Sequence, residues 1–127
     1  MTTTIRVLLI EDDTVLANLL FTQFQHQDIE CVIVNSGEDA LQILKTDHNF
    51  NTILLDISLP GIDGFEVLSN IKKESALAAI PVVIVSNFST EKDMAWGKQL
   101  GAARFVSKIS VVPSDIVAIA RETAGAN

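Results

Sequence analysis

Polar residues with acid, hydroxyl or amine side chains follow short apolar runs of this sequence. Glu11 and Asp12 follow the first run, and Asp56 follows the third. Ser86 follows the fourth run, and Lys108 lies just beyond the fifth. If the runs are strands of one parallel sheet, these side chains meet at its carboxyl edge, where such sheets bind ligands. Crowded carboxylates repel one another unless a cation binds or one of them takes up a proton.

The chemistry that suits this set is formation and hydrolysis of an acyl phosphate on an aspartate. Hard oxygen ligands suit Mg²⁺, which takes one or two carboxylates and keeps several waters. A carboxylate beside the metal stays ionised and can attack phosphorus as a nucleophile. The metal and the Lys108 ammonium would neutralise charge on a transferring phosphoryl group, and Ser86 would donate a hydrogen bond to one of its oxygens.

Each of these residues, taken alone, has an ordinary explanation. The acids at 11–13 suit the start of a helix, Asp56 suits a strand end, Ser86 suits a turn and Lys108 suits a solvated surface. Four separate strand ends nevertheless carry the required residue types together. We therefore favour a functional site over independent coincidences.

The elements that must position these residues follow from the apolar pattern. Five short runs, several of them rich in Val and Ile, predict strands buried on both faces. The runs are Ile5–Ile10, Cys31–Val34, Ile53–Leu55, Val82–Val85 and Phe105–Val106. Between these runs, apolar residues recur at the spacing of amphipathic helices. The predicted helices are about Thr14–Gln27, Ser36–Thr46, Gly64–Ser75 and Thr90–Leu100, with a fifth from Pro113. Five strand–helix units predict an α/β fold, with a parallel sheet covered by helices on both faces.

Individual residues within these helices carry further expectations. Ser36 suits the N-cap of the second helix, and Gly101 suits the end of the fourth. The first helix should bury one apolar stripe against the sheet. We assign five residues to that stripe: Val15, Leu16, Leu19, Leu20 and Phe24.

Length, composition and charge limit the class of protein. A chain of 127 residues with 48% hydrophobic residues suits one globular domain over 1–127. Its net charge of −7 argues against binding to nucleic acid or to anionic lipid. The lone cysteine, Cys31, allows no disulfide within the chain. A helix that spans a bilayer needs about 20 apolar residues, and no apolar run of this sequence is that long. We expect a cytoplasmic protein without membrane insertion.

Four segments of the sequence resemble response-regulator receiver domains, the phosphoacceptor half of bacterial two-component signalling. Val7–Asp13 is similar to the first strand and acidic pair of that family, and Asp56–Gly64 to the loop after its phosphorylated aspartate. Val82–Ser86 is similar to the fourth strand with its hydroxyl, and Gly101–Lys108 to the fifth strand with its aromatic residue and lysine. The resemblance extends from Ile5 to about residue 123.

The resemblance implies a single receiver domain with a flavodoxin-like, doubly wound five-stranded parallel sheet in the order 2-1-3-4-5. It implies that Asp56 accepts the phosphoryl group. It also implies that Glu11, Asp12, Asp56 and the backbone carbonyl of Ser58 hold Mg²⁺, with Asp12 as the more direct ligand of the acidic pair. Asp13 falls one place past that pair, and we assign it to the cap of the first helix.

The resemblance also implies a switch. Ser86 and Lys108 would contact the phosphoryl oxygens. Movement of Ser86 would open space into which Phe105 turns, and the face formed by the fourth helix, fifth strand and fifth helix would change for a partner. The implied partners are a histidine kinase or phosphotransfer protein on one side, and a downstream protein target or fused output domain on the other. The implied catalysis is limited to self-phosphorylation and self-dephosphorylation.

Two positions depart from the family's usual pattern. Ile109 stands where the family usually has proline after a cis bond, so the Lys108–Ile109 bond is either trans with a rearranged loop or a strained cis bond. Phe88 stands where polar side chains often place the hydrolytic water. Together with the small Ser58, it leads us to the hypothesis of slow self-dephosphorylation.

Three other functions are compatible with parts of the pattern. A receiver-like interaction module would keep the fold without being phosphorylated. A phosphohydrolase with an aspartyl nucleophile commonly has a second Asp two residues on, where this sequence has Ser58. A flavodoxin-like FMN carrier would need a phosphate-binding loop after the first strand, where the acids at 11–13 would repel the phosphate.

Overall fold

Five strands alternate with five helices along the chain. The computed structural model describes residues 4–87 and 90–125. Its elements are β1 (Arg6–Ile10), α1 (Thr14–His26), β2 (Glu30–Val34), α2 (Gly37–Leu44), β3 (Thr52–Leu55), α3 (Gly64–Lys73), β4 (Val82–Ser86), α4 (Glu91–Gln99), β5 (Arg104–Ser107) and α5 (Pro113–Gly125). Every predicted strand and helix is present, with ends shifted by a few residues.

The strands form one parallel sheet in the order β2-β1-β3-β4-β5. This doubly wound α/β architecture confirms the predicted fold class. The chain reverses its direction of winding between β1 and β3, which creates a crevice at their carboxyl ends. Ile10 is paired with Leu55, and the Asp56 amide donates to the Ile10 carbonyl oxygen at 3.1 Å. The residues that follow β1 and β3 therefore lie side by side.

Helices cover both faces of the sheet. The helices α1 and α5 pack on one face, and α2 and α3 pack on the other, so β3 and β4 are buried along their whole length. The helix α4 also lies on the second face. It approaches closely at Gly97, where an added Cβ would be only 2.8 Å from the Ile84 side chain. No helix among the described residues is both long and apolar enough to cross a bilayer.

Side-chain caps set the starts of the first four helices, and at α4 the cap is the Thr90 hydroxyl, which accepts from the Asp93 amide. The Asp13 carboxylate accepts hydrogen bonds from the first turn of α1, as expected for an N-cap. The Ser36 hydroxyl caps α2, which confirms that prediction, and Asp63 caps α3. The cap at Asp13 ends the acidic segment and turns the chain into α1 immediately after Glu11 and Asp12.

The predicted apolar stripe of α1 is partly wrong. Leu20 and Phe24 are buried as expected, but Val15 is 78% exposed and Leu19 is 46% exposed. At about 100° per residue, Val15 and Leu19 fall on the side of the helix opposite Ala17, which is buried. The core contact therefore uses a narrower stripe than the sequence suggested.

Arg6 ties together the amino edge of the sheet. Its guanidinium forms a salt bridge with Glu30, and its Nη1 donates to both Asp47 carboxylate oxygens at 2.9 and 2.7 Å. Nη1 also donates to the Asn49 carbonyl oxygen at 3.1 Å, and the guanidinium lies 4.5 Å from the Phe50 ring centroid. The hydrogen bonds from Arg6 hold the pKa of Asp47 below its ordinary value. This network joins β1, β2 and the α2–β3 connection.

Candidate functional site

Three acids meet at the carboxyl edge of the sheet. Glu11 and Asp56 are 2% and 5% exposed, because each directly follows a central strand, and Asp12 is exposed. One carboxylate oxygen from each of the three lies within 4.8 Å of the others. This oxygen-only donor set fits a hard divalent cation such as Mg²⁺.

Lys108 places its ammonium between two of these acids. Its Nζ lies 2.7 and 3.0 Å from the Glu11 carboxylate oxygens and 3.0 Å from Asp56 Oδ2. The bond between Lys108 and Ile109 is trans, which decides between the two alternatives for this position. The backbone of Lys108 stays anchored, because its amide donates to the Ser86 carbonyl oxygen at 2.8 Å. A trans bond without proline thus still allows the lysine to reach the site.

Burial and charge act against each other at this cluster. Burial raises the pKa of Glu11, and the neighbouring Asp56 charge raises it further, while the hydrogen bond from Lys108 lowers it. The resulting pKa of Glu11 is about 7. Burial alone would lower the pKa of Lys108, but its bonds to Glu11 and Asp56 outweigh burial and raise it. The lysine therefore stays charged at neutral pH, while Glu11 holds a proton more easily than an exposed glutamate.

The loop after β3 orients the remaining oxygen of Asp56. The Ser58 amide donates to Asp56 Oδ1 at 3.0 Å, so both carboxylate oxygens of Asp56 accept a hydrogen bond. Gly64 packs against the start of this loop, and an added Cβ there would lie 2.5 Å from the Asp56 carbonyl oxygen. The Asp56 carboxylate is therefore held in one orientation by two hydrogen bonds.

The two residues predicted for the switch, Ser86 and Phe105, lie on the neighbouring strands β4 and β5. Ser86 is fully buried at the end of β4, where it pairs with Ser107 of β5. Phe105 is half-buried, and its ring lies against Gly97 of α4. The prediction for Phe88 falls on a residue outside those that the structure describes.

Sequence reasoning missed two residues that contact the site's supporting loops. Asn35 follows β2, and its side-chain amide donates to the Glu11 carbonyl oxygen at 3.1 Å. Its position directly after an apolar run was the same signal that pointed to Asp56. Glu38 in the first turn of α2 accepts a hydrogen bond from the Ile62 amide at 3.3 Å. No sequence pattern pointed to that contact, because it joins two elements far apart in the chain.

The sequence profile of the response regulator receiver domain matches residues 7–121. The chain belongs to this family. As a receiver domain of two-component signalling, it is of a type that generally acts as a signalling switch and not as an enzyme. Its acidic residues cluster as in the Mg²⁺- or Mn²⁺-binding sites of receivers.

Similar proteins span several kinds of regulator. The receiver is 33% identical over 103 residues to the probable transcriptional regulator ycf29 of Pyropia yezoensis, covering 81% of this chain and 46% of that protein. This receiver thus spans less than half the length of that relative. A CheY-like receiver domain protein from Methanospirillum hungatei JF-1 is 22% identical and superimposes with a TM-score of 0.88, covering 97% of this chain and 95% of that one. The Mn²⁺-bound form of response regulator Rcp1 is 28% identical with a TM-score of 0.77, covering 94% and 89%.

Proposed function

We propose that this receiver is a phosphoacceptor switch in which Asp56 takes a phosphoryl group from a histidine kinase or phosphotransfer protein in a Mg²⁺-dependent step. The observation that carries the proposal is the pair of buried carboxylates, Glu11 and Asp56, that share the Lys108 ammonium within 3.0 Å. Such a pair has no role in packing the core. The free-energy cost of burying these two carboxylates is better explained by a site that must bind a charged ligand.

In the proposed transfer, Asp56 is the nucleophile, and Lys108 and Ser86 bind the phosphoryl oxygens. An oxygen of the Asp56 carboxylate attacks phosphorus, and the electron pair of the breaking phosphorus–nitrogen bond returns to the donor's imidazole nitrogen. Lys108 moves from carboxylate to phosphoryl oxygens, where its charge opposes the charge of the transferred group. Ser86 donates to another phosphoryl oxygen.

Glu11, Asp12, Asp56 and the Ser58 carbonyl would hold the metal. When bound, Mg²⁺ supplies positive charge that offsets repulsion among the carboxylates and the incoming phosphoryl group. The Mn²⁺-bound form of Rcp1 supports this proposal, because Mn²⁺ and Mg²⁺ favour the same hard oxygen ligands.

The output would arise on the face formed by α4, β5 and α5. Attraction of Ser86 to the phosphoryl group opens space behind it, and Phe105 turns inward from its place against Gly97. Met94 and Trp96 are 43% and 46% exposed on α4, where a downstream protein target or a fused output domain would sense the change.

The lifetime of the phosphoryl group depends in this proposal on Ser58 and Phe88. Neither side chain carries a group that activates water as a base, so self-dephosphorylation should be slow. Loss of the phosphoryl group within seconds, in the absence of a phosphatase, would contradict this part of the proposal.

We also propose that residues 1–127 form one receiver domain that works in the cytoplasm. Membership of the receiver family over residues 7–121 supports this assignment. A phosphohydrolase is disfavoured, because Ser58 offers no carboxyl group as a general acid two residues after Asp56.

The test is intact-protein mass spectrometry after incubation with a small phosphodonor such as acetyl phosphate. In the presence of Mg²⁺ the protein should gain the mass of one phosphoryl group, and the gain should disappear with EDTA. The matched control is Asp56→Asn, which keeps the shape of the side chain and should gain nothing. A wild-type protein that stays unmodified would favour the non-phosphorylated interaction module.

A further inference from the structure

The part of the β3–α3 loop that follows Asp56, residues 57–63, is held by hydrogen bonds at its two ends. At its start, the Ser58 amide donates to Asp56 Oδ1 at 3.0 Å and the Leu59 amide donates to the Ile57 carbonyl oxygen at 2.9 Å. At its end, the Gly64 amide donates to that same Ile57 carbonyl oxygen at 2.9 Å. Residues 57–63 therefore form an arch that begins directly after Asp56 and is closed at its base by these hydrogen bonds.

The tip of this arch depends on a different element. Gly61 has a φ of 75° and follows Pro60, the combination typical of a type II turn. Among the described residues, a single hydrogen bond reaches the tip, residues 60–62, from outside the loop. In that bond the Ile62 amide donates to Oε2 of Glu38 at 3.3 Å.

The first turn of α2 is pressed closely against the tip. A Cβ added to Gly61 would lie 2.2 Å from Oε2 of Glu38, so the carboxylate occupies the space beside the glycine. A Cβ added to Gly37 would lie 2.6 Å from the Ile62 side chain. Two consecutive residues of α2 therefore meet the tip, one through a polar contact and one through close packing.

From this contact we infer that Glu38 is a positioning residue for the metal site, through the arch that carries Ser58. The inference rests on the proposed function, in which the Ser58 carbonyl is a ligand. A carboxylate ligand can adjust by rotating its side chain, but a backbone carbonyl moves only when its loop moves. Restraining the tip therefore restrains the one ligand that has no rotamers of its own.

The size of the effect follows from the exposure of the contact. Loss of a group that orients a metal ligand typically weakens metal affinity about 10–100-fold. Glu38 is exposed and acts through four residues of loop, so we expect Glu38→Ala to raise the Kd for Mg²⁺ about 3- to 10-fold. The maximal phosphorylation rate at saturating Mg²⁺ should change little, because Glu38 touches none of the reacting groups.

The experiment is a Mg²⁺ titration by calorimetry on the purified protein, with three variants. Glu38→Gln keeps an acceptor for the Ile62 amide and loses the charge, so it should bind Mg²⁺ within about twofold of wild type. Asp39→Ala is the matched control, because Asp39 is an exposed acid in the same turn of α2. It removes the same charge and the same helix-dipole interaction without touching the arch. Urea denaturation of each variant shows that it folds.

The outcomes separate positioning from charge. A raised Kd for Glu38→Ala alone supports the inference, and a matching rise in the Mg²⁺ concentration that gives half-maximal phosphorylation supports it further. Equal losses in Glu38→Ala and Glu38→Gln, or in Asp39→Ala, would show a long-range charge effect and overturn it. An unchanged Kd in Glu38→Ala also overturns it. A wild-type protein that binds no Mg²⁺ removes both the proposed function and this inference.

Should Glu38→Ala fail to fold, Glu38→Asp tests the same contact without changing the loop. It keeps the charge and shortens the side chain by one methylene, which withdraws the carboxylate from the Ile62 amide. The same rise in Kd is expected, and a Kd equal to that of wild type would overturn the inference.

Discussion

Replacing Lys108 by methionine tests whether one ammonium holds two buried carboxylates together. Lys108 Nζ lies within 3.0 Å of both Glu11 and Asp56, which are 2% and 5% exposed. Methionine keeps most of the length of the side chain and removes the charge. The variant therefore leaves two buried acids facing each other without a cation.

The expected cost can be bounded from this geometry. Hydrogen bonds to charged groups contribute about 1.5–3 kcal/mol each, and breaking a buried ion pair costs about 3–5 kcal/mol. Glu11, whose pKa is already about 7, would take up a proton in the variant and relieve part of the repulsion. At pH 8 without metal, we expect Lys108→Met to lower the free energy of unfolding by about 2–4 kcal/mol. The loss should be smaller at pH 6, where the proton is already bound.

The assay is urea denaturation at pH 6 and pH 8, with and without Mg²⁺. The control is Lys45→Met, which removes the same charge from an exposed lysine after α2. Mg²⁺ should return much of the stability lost by Lys108→Met, because it binds the folded state and supplies positive charge. An ordinary surface ion pair contributes less than about 1 kcal/mol. If the free energies of unfolding of Lys108→Met and Lys45→Met differ by no more than that at pH 8 without metal, the reasoning fails.

The remaining predictions concern a buried acid, a thiol and a glycine. Because the folded-state pKa of Glu11, about 7, lies above its ordinary 4.5, its contribution to stability is complete below pH 4.5 and is lost as the pH rises through 7. Glu11→Gln should therefore flatten this part of the metal-free stability profile in urea denaturation, and an unchanged slope would count against the shift. Burial raises the pKa of Cys31 to about 12, so a thiol reagent should label it only as fast as the protein opens, and immediate labelling of the native protein would contradict its burial. A Cβ at Gly64 would lie 2.5 Å from the Asp56 carbonyl oxygen, so Gly64→Ala should destabilise the fold by about 1–3 kcal/mol in thermal denaturation. Gly125→Ala, where an added Cβ meets nothing within 4 Å, is its control, and similar stability of the two variants would refute the close approach.

The architecture was predictable because short apolar runs set both the strands and the points where they end. The run that ends at Ile10 and the run that ends at Leu55 are neighbours in the sheet, so the acids after them had to meet. The orientation of α1 was less predictable, because apolar residues occur on two sides of that helix. Only packing against the sheet decides that Ala17 faces the core and Val15 faces solvent.

Parts of the site depend on contacts that a linear pattern does not contain. The sequence raised the question of whether Lys108 could reach the site without a following proline. The answer came from the backbone, because the Lys108 amide continues the pairing of β5 with β4 at the Ser86 carbonyl. The contact of Glu38 with Ile62 likewise joins residues 24 positions apart, and the spacing of residue types gives no sign of it.

The two edges of the sheet carry different ion-pair networks. At the amino edge, Arg6 binds Asp47 and Glu30, at the end of the sheet away from the acidic cluster. At the carboxyl edge, the Lys108 ammonium joins Glu11 to Asp56, and in the proposed function it also binds the incoming phosphoryl group. The proposed function therefore rearranges contacts at the carboxyl edge and leaves those of Arg6 in place. Amide hydrogen exchange should accordingly respond to phosphorylation near the ends of the strands and remain constant around Arg6.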